Sequence, residues 1–337
     1  MNALRASEGV YRALLWFYPA EYRRAYAGPM AQLFCDMWRD AWEQQGWWGL
    51  IVFWFNILID TVHSAVAEHL EDHRTMQTIP TAIDQYEVKA QVGHGAVGSI
   101  YRVHDPASGQ DRALKMLNTE YRERFRSYVA RMADLLRQLN HPALPKCHAF
   151  VDTDEYTYIL LDFVEGRDLW SILESEDGFL DPAAVTDWGV QACELLIYLH
   201  GLPQPILVRD IKPANMMIDT HGQLLLVDFG IALPMHPPGE PYEKIGTIGY
   251  AAPEQYEGEV DMRSDVFGLG ATLHHLLTRR DPRREEKFTF HDAPPRALNP
   301  AIPAALEAAV LKATANAPAD RFQSAAEMKA ALLAAMQ

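Results

Sequence analysis

The sequence predicts an α+β chain preceded by an all-α module, and three observations carry that prediction. Residues 1–77 are rich in tryptophan and show apolar residues at helical spacing. From Ile83 onward the pattern changes to short β-like runs, after which helices and short strands alternate. The polar stretch from Asp72 to Thr81 separates the two patterns. The expected division is therefore a helical module over 1–77, a linker over 78–82 and a larger domain over 83–337. At 337 residues, 49% of them hydrophobic, the chain can build one sizeable core and a smaller one.

In the module, a first helix is expected near Glu8 to Phe17. It ends at Tyr18-Pro19, because proline disfavours helical geometry in the residue before it. A second spans Ala20 to Gln45, and Gly28-Pro29 should kink or split it. A third runs from Trp47 to Glu71. Its apolar stretch, Trp47 to Ile59 with Asn56 as the exception, is about thirteen residues against the roughly 18 to 20 that cross a bilayer. Asp60, His63 and Glu68 follow, so a buried or interfacial amphipathic helix is expected rather than a span.

In the larger domain, Tyr86–Val92, Ser99–Val103 and Arg112–Leu117 read as three strands, with a turn over Pro106 to Gly109. A helix follows over about Arg122 to Leu139. Asp181-Pro182 supplies a good N-cap and a proline at the first helical position of another. Gln223 to Val227 reads as a buried strand, and Ser324 to Glu327 has capping-box spacing.

Composition excludes several functions. A net charge of -15 argues against nucleic acid as a partner, since sequence-independent binding needs clustered Lys and Arg. Cys35, Cys147 and Cys193 are far apart and lack CxxC spacing, which indicates neither a disulfide framework nor a zinc site. A reducing cytoplasm fits, and no secretory signal pattern is seen at the start.

The chemistry lies in an ordered series. Gly93-His94-Gly95-Ala96-Val97-Gly98 leads into an extended run, whereas a dinucleotide fold would need it to open a helix. It reads instead as a hairpin whose backbone approaches phosphates closely, which a side chain would prevent. Lys115 follows on the third strand with Ala113 two before it. Then come Val208-Arg209-Asp210-Ile211-Lys212-Pro213-Ala214-Asn215 and Asp228-Phe229-Gly230. Each fragment alone has a plain reading as a turn, a solvent-facing lysine or a strand end. Their ordered co-occurrence describes a phosphoryl-transfer site.

From Ile83 to Gln337 the series resembles the bacterial eukaryotic-like serine/threonine protein kinases. The resemblance implies a two-lobed protein-kinase fold, a protein substrate, and transfer of the γ-phosphoryl group of ATP to a protein hydroxyl with Mg2+. It implies that Val92, Gly93, His94, Gly95, Gly98 and Ala113 surround the nucleotide and that Lys115 holds its α- and β-phosphates. Tyr158 to Gly166 resembles the hinge, with Leu161 as gatekeeper and the backbone of Asp162 and Val164 against adenine. Asp210 would orient the substrate hydroxyl, Lys212 would neutralise the moving phosphoryl group, and Asn215 and Asp228 would ligate magnesium. Val208 replaces a family histidine at a position that packs. Gly246 to Glu254 resembles the peptide-docking segment, with Thr247 touching Asp210. Asp265 and Arg321 match structural positions, and Arg321 pairs with Glu254.

One family feature is missing. Counting back from Asn140-His141-Pro142 places Met132 where a helix glutamate normally pairs the strand lysine. Asp134 points to another face, and Glu123 lies nine residues earlier, about 13.5 Å along a helix. Two readings follow: an enzyme with a loosely held Lys115, or an ATP-binding pseudokinase scaffold. The persistence of Lys115, Asp210, Lys212, Asn215 and Asp228 favours the enzyme. No serine or threonine lies between Asp228 and Gly246, so a phosphate paired with Arg209 lacks an ordinary acceptor. Activation is expected to depend on the N-terminal module or on Glu240 and Glu243 near Arg209, and Tyr242 is the remaining hydroxyl.

In the module, Leu14 to Tyr26 with Met30, Leu33 and Phe34 resembles a bacterial permease prefix domain. That likeness implies tethering or recruitment through residues 1–77, at a membrane surface or a permease complex.

Overall fold

The computed structural model describes residues 80–94, 97–229, 232–235, 242, 245–285 and 288–336, together with Ser7 and Tyr11. The chain divides after Thr78 into two units. Apart from Ser7 and Tyr11, the residues of the helices expected in 1–77 and of the permease-prefix likeness lie outside the described residues, as do positions 78 and 79 of the expected linker, whose Ala82 already belongs to the first strand. Among the described residues no helix is long and apolar enough to cross a membrane.

The second unit opens with a six-stranded antiparallel sheet. Its strands are β1 (Ala82–Ile83), β2 (Tyr86–His94), β3 (Gly98–Asp105), β4 (Gln110–Leu117), β5 (Cys147–Asp152) and β6 (Thr157–Asp162), in the order β1-β2-β3-β4-β6-β5. The first three expected strands are present and longer at their ends, because pairing extends until the turn chemistry stops it: His94 still faces Ser99, and Asp105 faces Gln110. Gly109, at φ 68, closes the turn between β3 and β4.

Helix α1 (Arg122–Gln138) packs on this sheet. Its inward residues Val129, Met132, Ala133 and Leu136 are buried with Leu117 and Ile159 of the sheet. The four fall at the three- and four-residue spacing of one helix face. A second apolar layer, Ile83, Tyr86, Tyr101, Val103, Leu114, Tyr158 and Leu160, covers the other side of the sheet.

Beyond the hinge the unit is helical. It contains α2 (Leu169–Ser175), α3 (Pro182–His200), α4 (Met262–Thr278), α5 (Pro295–Leu298), α6 (Ala304–Ala313) and α7 (Ala325–Ala335). Short strands β7 (Gly166–Asp168), β9 (Met216–Asp219) and β10 (Leu224–Leu226) form one small sheet, and β8 (Ile206–Leu207) pairs with β11 (Leu233–Pro234).

Sequence signals set the ends of these helices. Asp181 caps α3 by accepting the Ala183 N–H at 3.0 Å, with Pro182 at the first position. Asp261 caps α4 at the Arg263 N–H, 2.7 Å away. At the end of α4, Arg279 adopts φ 59 and its Nη1 donates to the carbonyls of Leu173, Glu176 and Gly178. The capping box expected at α7 is only half formed. Ser324 accepts the Glu327 N–H at 3.2 Å, but Glu327 accepts from Gln323 rather than reaching the Ser324 N–H.

Candidate active site

Four loops converge where the sheet meets the helical region. The glycine loop connects β2 to β3. Gly98 must be glycine, because a Cβ there would lie 2.3 Å from the Met116 carbonyl oxygen of β4. Gly93 and His94 sit on β2 opposite Ile100 and Ser99, and His94 Nδ1 lies 3.0 Å from Ser99 Oγ. Val92 is 52% exposed at the lip of the loop, while Gly95 lies outside the described residues.

On β4, Ala113 pairs across the sheet with Leu161, and Lys115 with Ile159. Lys115 Nζ donates to Asp228 Oδ2 at 2.9 Å, both side chains being about one-quarter to one-third exposed. Met132 is 3% exposed, in the same apolar cluster as Leu117 and Phe229. The strand lysine therefore takes its carboxylate partner from Asp228, and the α1 position holds an apolar side chain.

The hinge follows β6. Asp162 turns its carboxylate to the back of the sheet, where Oδ1 accepts from Arg112 Nη1 at 2.9 Å and from His148 Nε2 at 2.6 Å. Its Oδ2 accepts the Lys146 N–H at 3.0 Å. Burial raises the affinity of this carboxyl for a proton, but the His148 and Lys146 hydrogen bonds and the neighbouring positive charges outweigh that and hold its pKa below the ordinary value. The side chain thus fastens the hinge from behind. Val164 is half-buried, and Arg102 stacks 4.6 Å from the ring of the intervening Phe163.

The catalytic-loop residues form one hydrogen-bonded group. Thr247 Oγ1 donates to Asp210 Oδ1 at 2.6 Å, and Lys212 Nζ donates to Asp210 Oδ2 and to Thr247 Oγ1, each at 2.8 Å. Asn215 Nδ2 donates to the Asp210 carbonyl and to its Oδ2, both at 2.9 Å. With its N–H donors turned inward, Asn215 has its amide oxygen left to offer a ligand. The Val227 N–H donates to the Asn215 carbonyl at 2.9 Å, so the strand that delivers Asp228 is fixed to the loop that carries Asn215.

Beneath the loop lies buried support. Arg209 adopts φ 67, a costly conformation for a residue with a Cβ. Asp265 of α4 secures it, accepting the Arg209 N–H at 2.7 Å and the Val208 N–H at 2.9 Å. His200 Nε2 lies 2.9 Å from the same carboxylate, and Gln255 Nε2 donates to the Arg209 carbonyl at 2.9 Å. Val208 is 1% exposed and packs, as expected. Arg321 pairs with Glu254 as expected, at 2.6 and 2.8 Å.

The structure therefore gathers Asp210, Lys212 and Asn215 in one group and Lys115 with Asp228 in a second, joined through Val227. Sequence reasoning missed His200 and Gln255. A lone histidine at a helix end and a glutamine after Pro-Glu carry no local signal of what they meet. Glu240 and Glu243 lie outside the described residues. The ring of Tyr242 packs near Arg209, its centroid 5.5 Å from the guanidinium carbon.

A probable serine/threonine-protein kinase of Corynebacterium efficiens is 35% identical over 279 residues, 74% of this chain and 41% of that protein. The serine/threonine-protein kinase PknB of Mycobacterium tuberculosis is 33% identical over 272 residues, covering 74% of this chain and 42% of PknB. The chain thus spans about two-fifths of the length of these curated relatives. The crystal structure of the Mycobacterium tuberculosis PknI kinase domain superposes with a TM-score of 0.62 at 27% identity, covering 77% of this chain and all of that domain. With residues 86–299 matching the protein kinase domain family, the chain belongs to the protein kinases.

Proposed function

We propose that residues 83–337 transfer the γ-phosphoryl group of ATP to a serine or threonine hydroxyl of a protein. The observation that carries this reading is the hydrogen-bonded group of Asp210, Lys212, Asn215 and Thr247, tied through Val227 to the Lys115–Asp228 pair. Asp210 would orient the acceptor hydroxyl and take its proton. Lys212, already beside Asp210, supplies positive charge for the moving phosphoryl group. Holding both charges in place before the substrate arrives is the main contribution open to a protein in this reaction.

Among divalent cations Mg2+ fits best. The amide oxygen of Asn215 and the carboxylate of Asp228 are hard oxygen donors, and too few to form a closed cage, which suits an ion that keeps water and phosphate ligands. Bound there, the metal would offset phosphate charge. Lys115 would then exchange Asp228 for the α- and β-phosphates. Gly93, His94, Gly95 and Gly98, with Val92 and Ala113, would close over the nucleotide, and the backbone of Asp162 and Val164 would hold adenine.

Met132 is the observation in favour of a nucleotide-binding scaffold, and family membership supports the enzyme over it. Recruitment by residues 1–77 to a membrane surface or permease complex remains part of this proposal and rests on sequence likeness. The reading is tested by magnesium-dependent ATP binding, followed calorimetrically, together with phosphoamino-acid analysis of a labelled protein substrate. Affinity that is lost in Asp228→Asn, with phosphoserine or phosphothreonine as product, is the expected result. Phosphate absent from serine and threonine would refute it.

A further inference from the structure

Side chains alternate along β4, so Ala113 and Lys115 share one face, where Lys115 meets Asp228, and Arg112 lies on the other. Arg112 stands opposite Asp162 in the β4–β6 ladder, and its Nη1 donates to the Asp162 carboxylate at 2.9 Å. The arginine is 8% exposed, and a charge so deeply placed is costly without its partner. Asp162 is also the hinge residue whose backbone is assigned above to adenine. A buried charge on the far face of the sheet is therefore fastened to the element that would read the base.

A bulge delivers a second donor to the same carboxylate. Cys147 of β5 pairs with Leu161 of β6 and Ala149 with Leu160, so His148 is an extra residue without a partner across the ladder. A bulge of this kind re-aims a side chain. Here it brings His148 Nε2 to Asp162 Oδ1 at 2.6 Å. The backbone of Lys146 completes the grip: its N–H donates to Asp162 Oδ2 and its carbonyl accepts the Asp162 N–H, each at 3.0 Å. Arg102 of β3 adds an outer contact, Nη2 to Glu165 Oε1 at 3.0 Å, but the Glu165 side chain is 63% exposed and such surface pairs contribute little. Among the side chains, the hold on the hinge therefore falls on Arg112 and His148.

We propose that Arg112 and His148 are positioning residues for adenine: from the face of the sheet away from Lys115 they hold the Asp162 backbone in the orientation that reads the base, and so set nucleotide affinity. A hinge released from either side chain spends part of its time in orientations that do not bind. Apparent affinity then falls by the fraction that stays competent. The phosphate contacts proposed above, through Lys115 and the glycine loop, arise on other elements and keep their strength. The assignment rests on the adenine placement proposed above and not on turnover.

The test measures calorimetric affinity of the full chain for ADP and for magnesium tripolyphosphate, which has no base. His148→Leu is the main variant, because its side chain is one-third exposed and a groove of about 940 Å3 behind the hinge lets water reach Asp162 when the imidazole is gone. His148→Gln keeps a donor, and Arg112→Met removes the other side chain. Affinity for ADP should fall about tenfold in His148→Leu and in Arg112→Met, return in His148→Gln, and stay unchanged for tripolyphosphate throughout. In the nucleotide-free chain the Asp162 and Lys146 amides should exchange about tenfold faster in His148→Leu, and at the wild-type rate in His148→Gln. Wild-type affinity for ADP in His148→Leu and Arg112→Met, or an equal loss for ADP and tripolyphosphate, would overturn the proposal. A wild type that binds ADP and transfers no phosphate would refute the transfer reading alone; one that binds no ADP would overturn both.

Discussion

Arg321→Met probes the anchor of the docking segment. Arg321 is 1% exposed, and its Nη1 and Nη2 donate to the two carboxylate oxygens of Glu254 at 2.6 and 2.8 Å. It also donates to the carbonyls of Ala315, Arg263 and Asn316, at 2.7, 3.1 and 2.9 Å, and stacks 4.8 Å from the Phe267 ring. Methionine fills much of the space but leaves Glu254 buried with the Ser264 hydroxyl, at 2.6 Å, as its remaining side-chain donor. Removing one member of a buried pair costs about 3 to 5 kcal/mol. In a domain of this size each kcal/mol moves Tm by about 2 to 4 °C, so a drop of roughly 6 to 20 °C is expected. Glu254→Gln should cost less, about 1 to 2 kcal/mol, because Arg321 keeps three carbonyl acceptors and an amide oxygen. The double variant E254M/R321M strands no charge and should melt above R321M alone. Calorimetric melts of the four proteins decide the matter. A loss below about 3 °C in R321M, or a double variant that melts lower still, would refute the reasoning.

Two further outcomes follow from the site and the helical core. Met132→Glu should give Lys115 a helix partner and free Asp228 for the metal, raising kcat/KM for ATP roughly tenfold; an unchanged or lower value in a folded variant would show that the missing pair does not limit the rate. Burial pushes the pKa of His274 from an ordinary 6.5 down to about 4, with Arg280 and His291 adding to the shift, and burial does the same to His275. The unfolded chain then binds protons that the folded one refuses. Stability is therefore full above about pH 6.5 and declines as pH falls toward 4. His274→Gln, which keeps a donor for the Ala293 carbonyl, should flatten part of that decline in denaturation midpoints, and identical pH profiles would contradict the assignment.

Much of the fold was legible, and the candidate site residues could be named from the sequence, because each motif is local. The glycine loop, the Lys115 strand, the Asp210 loop and Asp228 each occupy a few consecutive residues. Asp181-Pro182 announces its helix through a side chain that bonds a nearby backbone N–H. What stayed hidden joins residues far apart in the chain. Lys115 meets Asp228 across 113 positions, Arg112 meets Asp162 across 50, and Gln255 meets Arg209 across 46. The turn of the Asp162 carboxylate toward the back of the hinge depends on His148, which no local pattern flags. The half-formed cap at Ser324 shows the same limit locally, since spacing cannot choose between the N–H groups of Gln323 and Ser324. Met132 was the exception. Its departure from the family pattern was visible in sequence, and the structure adds that Lys115 takes Asp228 as its partner.

The central claim is that this chain transfers phosphate although Met132 replaces the helix glutamate. Its most direct measurement is transfer of γ-labelled phosphate from magnesium-ATP to a generic protein substrate by the full chain, beside Asp210→Asn as the matched control. Asp210 is the group proposed to take the hydroxyl proton, so the wild type should exceed the control by about a hundredfold or more. Equal transfer by the two proteins, with both folded and both binding ATP, would contradict the claim and leave a nucleotide-binding scaffold.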